Sequence, residues 1–362
     1  MANIVSISTA LPEYCHRQKD ILHFMQEAYH LNDAERRKLA FMYAYSGIEK
    51  RYSVLPDYSL PKEQWRFITG SIEDVPDLNV RMQLFKQHAL QLSVKAIHNC
   101  LDGIADASAI THLITVSCTG MSAPGLDLEI MEELNLRTDI FRTSVNFMGC
   151  YAAIHALKLG KMLCDNDNNA NVLIVSTELC TLHFQQEYSL DNAASSLLFA
   201  DGSAAVLLSN NLQSLTLFSL ENFYSKVAFK GKKDMAWELN TKGFLMTLSG
   251  YIPQLIEEDI SGLVEEALDK NKLATEDITH WCLHPGGRKI LDLVEKKLQL
   301  KDKALQYSRK VLNDYGNMSS PTILFVLKEI MDEIKQTKKS SKIFGAAFGP
   351  GLTMETFIAS FS

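Results

Sequence analysis

Apolar residues in this chain fall into short, β-rich runs that alternate with longer stretches of helical spacing. HLITVSCTG (112–120) reads as a buried strand ending in a polar turn, and LDLEIMEELNL (126–136) as an amphipathic helix. RTSVNFMGC returns to strand, and YAAIHALKLGKMLCD, directly after it, is a helix whose small first residues permit close packing. ANVLIVSTEL (170–179) is almost wholly apolar, the pattern of a strand covered on both faces. SAAVLLSNN gives another strand, and SLTLFSLENFYSK (214–226) one or two more.

The same alternation resumes later. YIPQLIEEDISGLVEEALDKN (251–271) is a long amphipathic helix, ITHWCLHPGG (278–287) a strand and turn, and RKILDLVEKKLQL a helix. SPTILFVLKEIMDEIKQ is a further helix, and SKIFGAAFGPGLTMETFIASFS reads as two closing strands around a glycine-rich turn. Alternation over this length predicts an α/β fold with mostly buried sheets. Turn-rich stretches near 52–62 and 230–236 read as excursions from the core. The chain divides into two similar halves, 1–215 and 216–362.

Composition narrows the class. The 362 residues are 46% hydrophobic and 22% charged, an ordinary globular balance. A net charge of −7 gives no electrostatic basis for binding nucleic acid or an anionic membrane. No apolar run reaches the length of a membrane span. The opening MANIVSISTALPEYC lacks a basic start and reads as a strand leading into a turn at Pro12, not as a signal peptide. The seven cysteines are scattered and odd in number, with no CxxC pair, which points to a reducing compartment and a cytoplasmic location.

Three strand-to-helix junctions each carry one polar side chain: Cys150 in FMGCYAA, His284 in HWCLHPGG, and Asn317 in LNDYGNMSS. Open α/β sheets gather ligands at such junctions. A thiol beside free backbone N–H groups and a helix start loses its proton more easily, whereas a small apolar cysteine can equally fill a tight turn. His284 can simply bond its Pro-Gly loop, and Asn317 after a glycine is a common turn residue. Taken together, the three offer a nucleophile, an imidazole partner and an amide donor for a developing oxyanion. His280, Cys282 and His284 alternate along one strand face, but lack a nearby fourth ligand and fit a buried strand better than a metal site. No dinucleotide or Walker loop is present, so no cofactor is expected.

At these residues the sequence resembles the type III polyketide synthases, the chalcone synthase-like branch of the thiolase superfamily. The resemblance runs from STALP to FGPGLTMETF and includes EKRY (49–52), LFADGSAA (198–205), HPGG followed by ILDLVE, YGNMSS and FGPGLTME. It implies a thiolase-like fold, two similar βαβαβ halves in a layered α-β-α-β-α core, and a homodimer. It also implies that Cys150 carries the acyl chain as a thioester. His284 and Asn317 would then hold the malonyl-CoA carbonyl through decarboxylation and condensation. The substrates would be coenzyme A thioesters, with the starter delivered on CoA or on an acyl carrier protein.

The resemblance also assigns a cavity wall. Phe199 matches a gating phenylalanine, and Met246 stands where the family has a second one, so the gate should admit bulkier or longer acyl groups. Trp237 replaces a glycine of plant members and should fill part of the cavity. Cys118 and His183 replace threonines; SCTG with Cys118 resembles the bacterial branch. Ser319, Gly349 and Pro350 complete the wall, and Ala123 takes the place of a methionine that reaches into the partner's cavity. Of three basic residues expected to bind CoA phosphates, only Lys38 aligns, with Phe41 and Tyr45 at the other two places. Arg288 and Lys289 are extra cations expected near the same mouth. The rivals are a single-round β-ketoacyl carrier-protein synthase-like enzyme and a non-catalytic binding subunit. A papain-like protease shares the Cys, His, Asn order but fits the α/β pattern poorly.

Overall fold

The computed structural model describes residues 2–68, 75–212 and 218–361. Nine strands form one continuous mixed sheet. Five come from the first part of the chain, in spatial order Asn3–Ala10, Asp201–Ser209, Asn171–Leu179, His112–Ser117 and Phe141–Asn146. Four come from the second part: Phe218–Val227, Thr353–Phe361, Ser341–Gly349 and His280–Leu283. The two sets meet at a short seam, where Asn3 pairs with Ser219 and Ile4 with Phe218.

Both sets run through the same sequence of pairings. The first strand is antiparallel to the last, the last antiparallel to its neighbour, and that neighbour parallel to the next. In chain order, the second set has no counterpart of Phe141–Asn146; Tyr315–Ser320 runs there instead, and Asn317 makes a single bridge to Phe199. The division near residue 215 lies outside the described residues.

Period-two alternation along the strands separates two cores. Val172 and Ile174 face an inner cluster, while Leu173 and Val175 face an outer one. The inner cluster holds the helices Ala152–Asn166 and Thr322–Thr337, packed between inward faces of both strand sets. The helices Leu78–Leu101 and Ile252–Asp269 cover the outer faces. This gives the layered thiolase-like arrangement. A helix covered on several sides must be apolar beyond a single stripe. Ile323, Leu324, Val326, Leu327, Ile330, Met331 and Ile334 are accordingly all fully buried. The small residues Ala152, Ala153, Ala156 and Gly160 let the other inner helix approach the sheet; a Cβ on Gly160 would meet Leu208 at 2.7 Å.

Two short antiparallel pairs flank the sheet: Tyr14–Arg17 with Lys50–Ser53, which the first two helices separate in the chain, and the hairpin Met235–Asn240 with Gly243–Leu248. The turn-rich stretch 230–236 is a 3-10 turn at Phe229–Gly231 and a further turn through Asp234, and it leads into the hairpin at Met235. Among the described residues, no helix is long and apolar enough to cross a membrane.

Candidate active site

The nucleophile candidate sits on a constrained turn. The strand Phe141–Asn146 ends, the chain turns through Phe147 and Gly149 at positive φ, and Gly149–Tyr151 forms one 3-10 turn before the helix Ala152–Asn166. Gly149 is required there: its φ is +78°, and a Cβ would stand 2.2 Å from Pro350 Cδ. The Gly349–Pro350 turn therefore packs directly behind Cys150.

His284 extends the strand His280–Leu283 by one residue, donating its backbone N–H to Ala346 O at 2.9 Å. Gly287, at φ +148°, then redirects the chain into the helix Arg288–Lys297. Asn317 is fixed by its own backbone: its N–H donates to Leu198 O at 3.0 Å, and its carbonyl accepts from Ala200 N–H at 2.9 Å.

These three side chains line one cavity. Cys118, His183, Phe199, Trp237, Met246, Ser319 and Pro350 line it too. Five further residues lie outside this lining. Gly349 lies behind the nucleophile, where a Cβ would touch Tyr151 and the Cys150 backbone, so it is a packing residue and not part of the wall. Lys38 is exposed on the helix Asp33–Ala44. Arg288 and Lys289 are exposed at a helix start, and Arg288 packs against Gly47 with Asp292 at 3.6 Å. Asp292 is held more closely by Arg309, at 2.7 Å. Ala123 lies on the exposed loop around its bond to Pro124, away from the wall. His280, Cys282 and His284 do not converge: His280 bonds Glu333 at 3.0 Å, and Cys282 Sγ approaches Ile323 O.

The electrostatics correct one expectation. Burial pushes the Cys150 thiol up to about 12, against the opposing hydrogen bonds of Ser319 and Asn317. Burial also pushes the His284 imidazole down to about 3. Neither group is charged on its own. Both are neutral for the same reason, the cost of an isolated buried charge. Among the described residues, both ring nitrogens of His284 are buried and have no hydrogen-bond partner.

His183 is locked as a neutral ring. It donates from Nε2 to Thr119 O at 2.7 Å and accepts Phe244 N–H on Nδ1 at 3.1 Å. It stacks on Phe244 at 4.3 Å and stands edge-on to Trp237 at 5.6 Å. Trp237 is pinned by its Nε1–H to Cys118 O at 2.7 Å. Trp237 and Met246 are register partners in the hairpin, so both project from the one face that walls the cavity.

Some residues near the site escape the sequence reading. Glu178 is fully buried and accepts from Cys118 N–H at 2.9 Å, Thr119 Oγ1 at 2.7 Å and Ser320 Oγ at 2.6 Å. Burial holds its carboxyl above the usual range. It ties the end of a first-half strand to the segment that carries Asn317. The signal was a lone acid in an otherwise apolar run, ANVLIVSTEL. Phe244 and Cys180 also line the cavity without any marker of their own.

Comparison with known proteins agrees with this architecture. Residues 1–211 match the chalcone and stilbene synthase N-terminal domain, and residues 222–361 the C-terminal domain. Type III polyketide synthase A of Arabidopsis thaliana is 29% identical, spanning 98% of this chain and 91% of that protein. Type III polyketide synthase C of the same plant is also 29% identical, over 99% and 94%. Among solved structures, PKS-I of the brown alga Ectocarpus siliculosus superposes with a TM-score of 0.92 at 26% identity, covering 99% of this chain and 97% of that one. The C-terminal type III domain of Steely1 from Dictyostelium gives 0.90 at 27%, covering 99% and 98%. The chain belongs to the chalcone and stilbene synthase family: it is a type III polyketide synthase, an acyltransferase that condenses malonyl-CoA.

Proposed function

We propose that Cys150, His284 and Asn317 carry out a decarboxylative Claisen condensation of malonyl-CoA onto a Cys150-bound acyl starter. The carrying observation is a fully buried imidazole with two unpartnered nitrogens, lining the same cavity as the thiol and the oriented Asn317 amide. His284 takes the thiol proton as Cys150 sulfur attacks the starter thioester, then returns it to the departing CoA thiolate. The malonyl thioester carbonyl next accepts from His284 and Asn317. Its carboxylate leaves as carbon dioxide, and the electron pair becomes an enolate held by those donors. The enolate carbon attacks the acyl-cysteine carbonyl, the C–S bond breaks, and Cys150 is regenerated. No cofactor enters these steps.

Repetition of the cycle, with a pyrone- or resorcinol/chalcone-type product, is the reading we favour from the chalcone and stilbene synthase family match. The division into halves 1–215 and 216–362 places the thiol on one half and its two partners on the other; the repeated strand pairing supports it. Lys38, Arg288 and Lys289 are proposed to attract the CoA phosphates from the rim. The open edge strand Phe141–Asn146, with Phe141 exposed, supports a homodimer in which a second copy covers that edge. A cytoplasmic location rests on the unpaired cysteines, and a bacterial-type branch on Cys118 alone.

Radiolabelled malonyl-CoA tests the central reading. Carbon dioxide release should require His284, and products containing several acetate units should require Cys150. A single addition would select the carrier-protein synthase-like rival, and no release at all a binding subunit. Unchanged Michaelis constant for malonyl-CoA in an R288A/K289A variant would remove the rim cations from the proposal.

A further inference from the structure

Arg51 is a buried guanidinium on the cavity side of the strand Lys50–Ser53. Burial lowers its affinity for its proton, and Asp201, the carboxylate whose field reaches it, spends its oxygens on Val54 N–H, Thr181 N–H and the Thr181 hydroxyl. A buried cation without a close counter-ion is costly, so its fixed fork of donors must serve something specific. It donates from Nη1 to Phe199 O and from Nε to Gln18 Oε1 at 3.0 Å. Gln18, 6% exposed, in turn donates from Nε2 to Leu197 O at 2.9 Å. The two side chains thus clamp the carbonyls of residues 197 and 199, while the carbonyl between them, Leu198 O, accepts the Asn317 N–H at 3.0 Å.

Arg51 also touches the other side of that bridge. A Cβ on Gly316 would lie 2.7 Å from Arg51 Cδ and 3.1 Å from Leu198 O, so Gly316, at φ +70°, exists where the arginine stem crosses the chain.

We infer that Arg51 and Gln18 are positioning residues: a brace that sets the place of the Asn317 amide without touching the reacting atoms. The inference rests on the reading of Asn317 as a donor to the malonyl thioester carbonyl. A small displacement of one donor is enough to matter, because an error of about 1 Å in a catalytic group costs on the order of a hundredfold.

The test separates donor placement from general loosening. Gln18→Leu and Arg51→Lys are assayed for malonyl-CoA decarboxylation and for alkylation of Cys150 by iodoacetamide. Decarboxylation kcat should fall about 10- to 100-fold with KM within about twofold, while the alkylation rate stays within about twofold of the parent. The double variant Gln18→Leu/Asn317→Ala should be no slower than Asn317→Ala alone, since a brace acting through Asn317 has nothing left to place. Alkylation falling in step with decarboxylation, or a double variant slower by the product of the two single effects, would overturn the brace. If Arg51→Lys does not fold, Gln18→Leu and its double variant decide alone. Full decarboxylation in Asn317→Ala refutes the donor role itself and the brace with it; impairment confined to Asn317→Ala refutes the brace only.

Discussion

The backbone N–H of Ser319 donates to Asn317 Oδ1 at 2.8 Å. A backbone N–H can only donate, so this bond fixes which end of the amide is which and leaves the NH2 group for the cavity. Ser319 reaches that position at φ +59°, a backbone choice rarely made by a residue other than glycine, asparagine or aspartate. Asn317→Asp keeps the acceptor for Ser319 and removes the donor. Carbon dioxide release from malonyl-CoA should therefore drop about 10²- to 10³-fold, with the denaturation midpoint little changed. Release at the parent rate would mean the amide takes no part.

The acid–base state of Cys150 predicts an unusual alkylation profile. With the thiol pushed up to about 12 and the imidazole down to about 3, only a trace of thiolate exists at neutral pH in the free protein. The iodoacetamide rate should climb roughly tenfold per pH unit from 6 to 9 without levelling. A plateau beginning below pH 7 would show a resting thiolate–imidazolium pair instead.

His183 links stability to acid. Its folded value, held down to about 3 by burial, lies below the ordinary 6.5 of an unfolded chain. Between these values the unfolded state binds the extra proton, so stability falls as pH drops from 6.5 toward 3, by up to roughly 1.4 kcal/mol per pH unit. Asp201 acts in the opposite sense: its folded carboxyl, raised to about 6 from 3.8, makes stability fall as pH rises through that window. Urea unfolding of His183→Gln against the parent, at pH 7 and pH 5, cancels the Asp201 contribution. The variant should lose less stability on acidification.

The wall hairpin predicts product length. Trp237 and Met246 face each other across the two strands, and only Trp237 is tied by a hydrogen bond, to Cys118 O. Trp237→Gly should open the cavity and shift products toward more malonyl units, as read by mass spectrometry. Met246→Phe should narrow the gate, since a ring replaces a flexible thioether, and reduce turnover of bulky starters more than of short ones. Identical product profiles in both variants would detach the hairpin from specificity.

Sequence pattern gave the alternating strands and the inner helices directly, because two-sided burial leaves long apolar runs such as 170–179 and 322–327. The helices Gln18–Ala28, Asp33–Ala44 and Leu78–Leu101 stand outside that reading: their apolar positions are diluted by polar ones, and only Phe85, Ala89, Leu92, Ala96 and their like form the buried stripe. The hairpin 235–248 was hidden for a related reason, since one of its faces lines a cavity and the other is largely exposed. The three junction residues were readable from their turns. Their protonation was not, because it depends on burial supplied by segments far away in the chain. Arg51 was visible only as part of EKRY; that its fork reaches Phe199 O is a fact of tertiary structure.

The two margins of the nine-stranded sheet are unlike. At one, His280–Leu283 is buried, and Ser308 Oγ donates to Leu283 O at 2.7 Å; at the other, Phe141–Asn146 is open along most of its length. Strand addition to this sheet is therefore confined to one end, and any chain that extends it must do so alongside Phe141–Asn146.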